Sequence, residues 1–399
     1  KPRAAVAMAE QPPEPQGSGD GGAAGIVATV RGAGQSLRSF VLWHLRIGFA
    51  HLLLYLDDPQ ESEEIRGLLR DLDETSGRVT LVPCDAEHRA GWRRLAKWQA
   101  LGRYAEAEVQ ARQMLNAEHA VAEAGRLGLA WLLHVDADEA FYCGGADVRE
   151  HFAALTAEGI TCMRYVNFEA VAESEEMADP FLECTLFRRH LAAIRPSGPK
   201  AFEFLKRAMM HWLGRSPHGH FFEGYSNGKS AAAVVPGMVP ESVHAWLLPT
   251  PELCGRAAHN FLHMQQPGIG AEKLRTPRSP LATQACVLHF SAAVGYSAWR
   301  RKYAILGPFA DAWYGGRDPI PPGFHRDSRD ACASGDDDVA HAFYRKRAML
   351  SDPDEISIQL ASSMCVRICQ LSELVRADPC SKARVAELLA GAPPIHIEP

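Results

Sequence analysis

The stretch Trp131-Leu132-Leu133-His134-Val135-Asp136-Ala137-Asp138-Glu139 joins a mainly apolar run to an acidic cluster. A short, nearly unbroken apolar run is typical of a strand that is buried on both faces of a parallel sheet. In an extended segment alternate side chains point the same way, so the carboxylates of Asp136 and Asp138 converge. Because charge at the mouth of a buried strand is costly without a partner, the stretch predicts a strand end that binds a cation.

A second apolar run, His51–Leu56, also ends in acidic residues, Asp57 and Asp58. Strand-like and helix-like segments alternate around both runs. We predict strands at 26–30, 51–56, 79–82 and 131–135, and helices at 37–48, 62–72 and 106–127. Such alternation implies an α/β fold with a parallel sheet and right-handed crossovers. Ligands bind at the carboxyl ends of such strands, so both acidic groups are expected on one rim.

Composition limits the classes of function. The chain has 399 residues, 47% of them hydrophobic and 23% charged, which is ordinary for a globular protein with a large core. The net charge of -6 gives no basic excess for nucleic acid or an anionic membrane surface. Ten cysteines without a CxxC pair argue against a zinc ribbon. A polyanionic ligand is therefore expected to meet a metal ion or a few local basic groups.

Paired carboxylates suit hard divalent cations such as Mn²⁺ and Mg²⁺, which complete their shells with water and phosphate oxygens. A metal that bridges a diphosphate neutralises the charge that develops on the leaving group. We therefore expect Mn²⁺ or Mg²⁺ at Asp136 and Asp138, next to a ligand that carries a diphosphate.

Several segments, in one order along the chain, carry a resemblance to a known family. Trp131–Phe141 resembles the WLLxxDxDEF segment of family 92 glycosyltransferases and their family 2-like relatives. Other matches lie at Leu42–Asp58 (WLxxHxxxGxxHxxxYDD), Arg112–Asn116 (a polar helix face), Gly228–Ser230 with His244 (GKS…H) and Val287–Phe290 (ILHY). The resemblance covers roughly residues 26–308. It implies a GT-A fold and inverting transfer of a sugar from a nucleoside-diphosphate donor to a glycan or other hydroxyl acceptor.

The resemblance also implies a domain plan. A disordered leader is expected at 1–25, followed by a GT-A domain at 26–310. That domain would divide into a Rossmann-like nucleotide-sugar half at 26–145 and an acceptor half at 146–310. A surface loop at 311–338, rich in Gly, Pro and Asp, and a C-terminal helical appendage at 339–399 complete the chain.

Roles follow for individual residues. Asp136 and Asp138 would hold the metal, with His289 preferred over His244 as a third ligand or a phosphate contact. Glu139 would orient the loop or a metal-bound water. The nucleotide would be contacted by Asp57 or Asp58, Arg112 and Asn116, and the diphosphate by Lys229.

The catalytic base is expected among the carboxylates near the acceptor, because inverting transfer needs a group to take the proton of the attacking hydroxyl. Glu169 follows a strand-like run at 160–168, and Glu223 lies in a loop rich in glycine and aromatic residues; Glu183 is a third candidate. The candidates to stack on an acceptor sugar are aromatic residues in and near that loop: Trp212, Phe221, Phe222 and Tyr225.

Three other classes of protein are alternatives to a glycosyltransferase. A catalytically silent carbohydrate-binding protein stays open because Arg31–Gln35 stands where the family usually has an Asn-Glu pair. A metal-dependent nucleotidyltransferase also uses paired acidic residues, and the same segment faintly resembles its glycine-rich phosphate loop. A Rossmann dehydrogenase is disfavoured because the chain lacks GxGxxG after its first strand.

The sequence contains no run of 18 apolar residues, so we expect no segment that spans a bilayer. The chain starts with Lys1 rather than Met, and an anchor would lie upstream of it. With such an anchor we expect a Golgi location, in the lumen or at the membrane, and otherwise a cytoplasmic one.

Overall fold

The computed structural model describes residues 22–34, 36–190, 193–194, 198–219, 222, 225, 227–261 and 275–377, with backbone only at 71–76. Within these residues no helix is both long and apolar enough to cross a membrane. Most of the expected leader lies outside the described part of the chain. Its expected end at Gly25 is wrong, because Ala24 and Gly25 are already paired in the first strand.

The first half of the chain forms a parallel sheet covered by helices. Its strands are β1 (Ala24–Val30), β2 (His51–Leu56), β3 (Val79–Pro83) and β4 (Trp131–His134), and its helices are α1 (Ser36–Arg46), α2 (Ser62–Ser76), α3 (Ala86–Gly91), α4 (Trp98–Leu101) and α5 (Val109–Arg126). The strand order is β3-β2-β1-β4, with every pair parallel. All four predicted strands and the three predicted helices are confirmed, with ends shifted by a few residues.

Burial explains why these runs form strands. Every residue of β1, β2 and β4 is buried, and alternate side chains enter two separate hydrophobic clusters on opposite faces of the sheet. Ile26 and Leu52, for example, lie on one side, and Val27 and Leu53 on the other. A strand covered on both faces needs apolar residues at every position, which gives the unbroken runs in the sequence.

The second half contains a mixed sheet that continues the first, and a separate sheet of two strands. It contains β5 (Glu139–Tyr142), β6 (Cys162–Ala170), β7 (Leu186–Arg189), β8 (Lys229–Ala233), β9 (Val239–Ser242), β10 (Ala245–Leu247), β11 (Ala257–His259) and β12 (Cys286–His289), with helices α6 (Val148–Ala157), α7 (Pro180–Glu183), α8 (Pro199–Leu213), α9 (Pro251–Cys254), α10 (Pro280–Gln284) and α11 (Tyr296–Leu306). Strand β8 runs antiparallel between β4 and β6. Strand β12 pairs with both β5 and β6, so the acidic loop, β6 and β12 meet at one place.

The last part of the chain differs from what the sequence predicts. It forms β13 (Ala312–Trp313), β14 (Asp318–Pro319), α12 (Phe324–Ala333), α13 (Asp337–Arg347), α14 (Pro353–Ala361), β15 (Cys365–Arg367) and α15 (Gln370–Arg376). The expected loop at 311–338 is wrong, because helix α12 lies within it and buries Phe324, Ser328 and Ala331 along one face.

The expected helical appendage at 339–399 contains the helices α13, α14 and α15 in its described part, and it also contains a strand, β15, which the sequence does not predict. Strand β15 pairs antiparallel with β7 and thereby extends the central sheet, and residues after 377 lie outside the described part. The fold class itself is confirmed. The protein is α/β, with a Rossmann-like parallel half followed by a mixed half, which is the arrangement expected of a GT-A fold.

Candidate active site

The acidic loop between β4 and β5 is a tight turn at the carboxyl end of the parallel strands. The Glu139 backbone amide donates to the Asp136 carbonyl oxygen at 3.0 Å, and the Asp136 amide donates to a Glu139 carboxylate oxygen at 2.8 Å. The side chains of Asp136 and Asp138 are 29% and 28% exposed, so both carboxylates reach the surface of the rim. Glu139 is fully buried and fixes the shape of the loop, in agreement with its expected orienting role.

Both oxygens of Asp136 are occupied by protein donors. One accepts a hydrogen bond from the Gln113 side-chain amide at 2.5 Å, and the other binds the Lys229 ammonium group at 2.7 Å. Burial favours the neutral acid, but the positive charge of Lys229 outweighs it and lowers the pKa of Asp136. Asp136 is therefore an anion whose charge is balanced within the protein.

Lys229 is an internal counter-ion of the acidic loop. Its side chain has no exposed surface, and its ammonium group also lies 3.4 Å from a Glu139 oxygen. Burial, opposed by Lys229, raises the pKa of Glu139 to about 7, and the Tyr225 hydroxyl donates to the other Glu139 oxygen. The expected contact of Lys229 with a diphosphate stays a prediction.

Gly228 explains how the lysine reaches this position. Its φ of 67° is unfavourable for residues with a side chain, and a Cβ there would lie 2.0 Å from the Tyr165 carbonyl oxygen of β6. Only glycine lets the chain pass so close to β6 before β8 begins at Lys229. Sheet packing thus requires the glycine of the Gly-Lys dipeptide.

Asp138 meets two cationic side chains from distant parts of the sequence. Its Oδ2 accepts from Lys302 of helix α11 at 2.7 Å and lies 3.8 Å from His289 Nε2 at the end of β12. Burial would raise the pKa of Asp138, but Lys302 and then His289 overcome it and hold that pKa well below its usual range. Asp138 is thus ionised and lies 3.8 Å from His289.

His289 is oriented by Glu169 of strand β6. Parallel pairing of β12 with β6 places the two residues in register, and His289 Nδ1 lies 2.9 Å from both Glu169 oxygens. The Asn167 side-chain amide donates to Glu169 at 2.8 Å and to the Tyr225 carbonyl oxygen at 2.8 Å. Burial opposes a charge on the imidazole, but Glu169 and Asp138 raise the pKa of His289 to about 9.

The expected nucleotide-contacting residues pair with one another. Asp57, at the end of β2, binds the Arg112 guanidinium through two hydrogen bonds of 2.6 and 2.8 Å, and the two residues are 3% and 5% exposed. Arg89 and Arg31 lie farther away, at 3.7 and 3.9 Å from the carboxylate. Asp57 and Asp136 end β2 and β4 on either side of β1, so the predicted shared rim is confirmed.

Asn116 and Asp58 also have local partners. Asn116 is fully buried, donates to Thr29 at 3.1 Å and accepts from His88 and Trp92. Asp58 accepts from the backbone amide of Gln60 and caps a short 3-10 turn. Direct nucleotide contact by Asp57, Asp58, Arg112 or Asn116 stays a prediction, and their described contacts shape the rim from within.

Of the remaining candidates, His244 borders the cluster, because its ring centroid lies 4.8 Å from that of Tyr225. Glu223 lies outside the described residues. Glu183 accepts from the backbone amides of Ala178 and Asp179 and so fixes a local turn. His244 is bound through Nδ1 to the Gly228 carbonyl oxygen, and burial lowers its pKa to about 3.

A divalent ion at this site would need ligands from the acidic loop and from His289. Among the described residues no group of three His, Cys, Asp or Glu side chains is arranged to hold a metal by itself. Asp138 Oδ2 and His289 Nε2 are 3.8 Å apart. Two ligands at metal distances of about 2.1 Å are separated by at most about 4.2 Å, so one ion fits between this pair. The residues therefore fit an Mn²⁺ or Mg²⁺ ion that obtains most of its remaining ligands from water and phosphate.

Asp136 fits less directly, because a metal would have to displace Gln113 or Lys229 from its oxygens. Its assignment as a ligand stays a prediction.

Two residues of the cluster have no role assigned from sequence. Gln113 lies beside Arg112 on α5, so the helix contacts Asp136 and Asp57 through adjacent residues. Lys302 lies on α11. Its contact with Asp138 depends on how that helix packs against the acidic loop, which the sequence does not show.

Comparison with known sequences gives a similarity to glycosyltransferase-like proteins. Two such proteins of Arabidopsis thaliana are each 26% identical to this chain over 145 residues, which is 35% of the chain. The match spans 30% of the length of one relative and 26% of the other. No protein-family model matches the chain, so the resemblance to family 92 is not confirmed.

Two solved mannosyltransferase structures show a loose likeness. Core-mannan synthase A of Aspergillus fumigatus, in its Mn/GDP form, has a TM-score of 0.25 at 14% identity, covering 53% of this chain and 59% of that one. Ktr4p of S. cerevisiae, in complex with GDP, has a TM-score of 0.25 at 13% identity, covering 56% and 62%. A TM-score this low supports no inference about this chain.

Proposed function

We propose that the protein is a metal-dependent glycosyltransferase that moves a sugar from a nucleoside-diphosphate donor to a hydroxyl acceptor, with inversion. The observation that carries this proposal is the facing pair of Asp138 and His289 at the carboxyl edge of a parallel sheet. The partial similarity to glycosyltransferase-like proteins supports it independently. Membership of family 92 and a Golgi location belong to the same proposal.

The donor side follows from the metal pair. Asp138 and His289 would hold Mn²⁺ or Mg²⁺, which would neutralise charge on the departing nucleoside diphosphate. Glu169 accepts a hydrogen bond from Nδ1–H of His289 and so keeps Nε2 pointed at Asp138. Lys229, Glu139 and Gln113 keep the loop between β4 and β5 in one shape, so that Asp138 is presented without rearrangement.

The acceptor side is less complete. The catalytic base is proposed to be Glu169 or Glu223, as the sequence predicts. The Glu169 carboxylate is already bound to His289 and Asn167 at 2.9 and 2.8 Å. Its described contacts favour the orienting role.

Product analysis tests the proposal. The protein is incubated with a panel of nucleotide sugars, with and without Mn²⁺, and free nucleoside diphosphate and pyrophosphate are quantified. We expect metal-dependent release of nucleoside diphosphate from one donor. In a parallel incubation with nucleoside triphosphates and sugar 1-phosphates, release of pyrophosphate would replace the proposal by nucleotidyl transfer, and the absence of turnover in both incubations would favour a silent carbohydrate-binding protein.

A matched pair of variants strengthens this experiment. Asp138→Asn removes the charge of the proposed metal ligand and should abolish turnover. Asp147→Asn makes the same chemical change at the N-cap of α6, where asparagine caps about as well as aspartate, and should leave turnover intact. Equal turnover in the two variants would contradict the assignment of Asp138.

A further inference from the structure

Lys302 shares one oxygen with the proposed metal site. Its ammonium group lies 2.7 Å from Asp138 Oδ2, the same atom that faces His289 Nε2 at 3.8 Å. Its other described contact is a longer one, 3.4 Å to the carbonyl oxygen of Ser291. A divalent ion at Asp138 would therefore compete with Lys302 for the same carboxylate.

Helix α11 carries Lys302 across the rim. Three residues further along, on the same face of the helix, Ile305 packs against Gly32 in the loop after β1. Gly32 has a φ of 62°, and a Cβ there would lie 2.5 Å from the Ile305 side chain. Lys302 thus stands between the acidic loop and the end of β1, the edge at which parallel sheets of this type receive phosphate groups.

We propose that Lys302 is an exchangeable counter-ion, which pairs with Asp138 in the ligand-free protein and turns to the donor's diphosphate when a divalent ion takes that carboxylate. The inference rests on the proposed function. The side chain is 31% exposed, and its flexible four-carbon stem can redirect the ammonium group without moving the helix. No other described cation contacts Asp138 at hydrogen-bond distance.

The exchange couples the metal to the diphosphate. A metal that binds alone must displace Lys302 and leave a partly buried ammonium group with only the Ser291 carbonyl oxygen as a partner. A diphosphate supplies a new anionic partner and removes that penalty. Metal and diphosphate should therefore each strengthen the binding of the other by the same factor, because coupling between two binding sites is reciprocal.

The test measures Mn²⁺ affinity, from the free-ion signal in electron paramagnetic resonance, with and without inorganic pyrophosphate after correction for Mn²⁺-pyrophosphate complexes. In the unaltered protein we expect pyrophosphate to tighten Mn²⁺ binding by about tenfold or more. Lys302→Met should tighten the binding of Mn²⁺ alone by about tenfold and should reduce the effect of pyrophosphate to the part that comes from direct contact between metal and phosphate.

Two further variants control for charge and for folding. Arg301→Met removes one positive charge from the neighbouring, exposed residue of α11 and should behave like the unaltered protein. Lys302→Arg keeps a cation in place and should preserve the coupling.

The outcomes separate the two proposals. If Lys302→Met leaves Mn²⁺ affinity unchanged, or raises it equally with and without pyrophosphate, Lys302 does not exchange partners and this inference is overturned while the proposed function stands. If the unaltered protein binds no Mn²⁺ even with pyrophosphate, both proposals are overturned.

Discussion

Replacing Asp57 by asparagine should mainly destabilise the protein. Asp57 and Arg112 are 3% and 5% exposed and share two short charge-assisted hydrogen bonds. Removing one partner of a buried ion pair typically costs about 3–5 kcal/mol, because the other charge stays buried. The more exposed Arg31 and Arg89, at 3.9 and 3.7 Å, contribute at most about 1 kcal/mol each. We therefore expect Asp57→Asn to lose about 3 kcal/mol in the free energy of unfolding.

Urea denaturation followed by circular dichroism measures this loss, with Asp58→Asn as the matched control. Asp58 is the adjacent carboxylate and caps only a 3-10 turn, where asparagine is an equivalent cap, so its loss should stay below about 0.5 kcal/mol. Equal midpoints for the two variants would refute the reasoning. If Asp57→Asn kept full stability and lost only nucleotide binding, the contact with the nucleotide predicted from sequence would be supported.

Three further predictions concern the cluster itself. Glu169→Gln should weaken Mn²⁺ binding by about 10–100-fold, as expected for a group that orients a metal ligand. Unchanged Mn²⁺ affinity with a transfer rate lower by about 10²–10⁴ would instead identify Glu169 as the catalytic base. Lys229→Met should cost about 2–3 kcal/mol in the free energy of unfolding by heat or urea, because it leaves the buried Glu139 and the partly exposed Asp136 without their counter-ion. Full stability with weaker donor binding would instead support the predicted contact of Lys229 with the diphosphate. Because the pKa of His289 is raised to about 9, its imidazole holds a proton at neutral pH that a metal must displace. Mn²⁺ affinity, measured by calorimetric titration, should therefore rise about tenfold from pH 6.5 to 7.5. An affinity that does not change with pH would exclude His289 as a ligand.

The parallel half of the fold could be predicted because its signal is local. Strands buried on both faces require consecutive apolar residues, and their ends are marked by Asp57 and Asp136. The shared rim follows from strand direction alone, without knowledge of any contact. The sequence predicts a loop where Phe324–Ala333 forms a helix, because the buried face of that helix holds only three residues among many charged ones.

The contacts of the site could not be predicted, because they depend on pairing between distant segments. His289 meets Glu169 through the register of β12 against β6, 120 residues apart in the chain. Lys302 reaches Asp138 only because α11 packs against the loop after β1. Sequence spacing indicates which residue types are present, but it does not indicate that Asp57 is neutralised by Arg112 or Asp136 by Lys229.

The most direct measurement of metal-bridged donor binding is a thermal shift of the unaltered protein and of Asp138→Asn with Mn²⁺, a nucleoside diphosphate, or both. With the two ligands at about 100 times the dissociation constant of their joint binding, we expect the pair to raise the melting temperature of the unaltered protein by about 3 °C. Either ligand alone, at the same concentration, should give a clearly smaller shift because it binds more weakly without the other, and the joint shift should be absent from Asp138→Asn. An undiminished joint shift in that variant would contradict the assignment of the metal and donor site to Asp138.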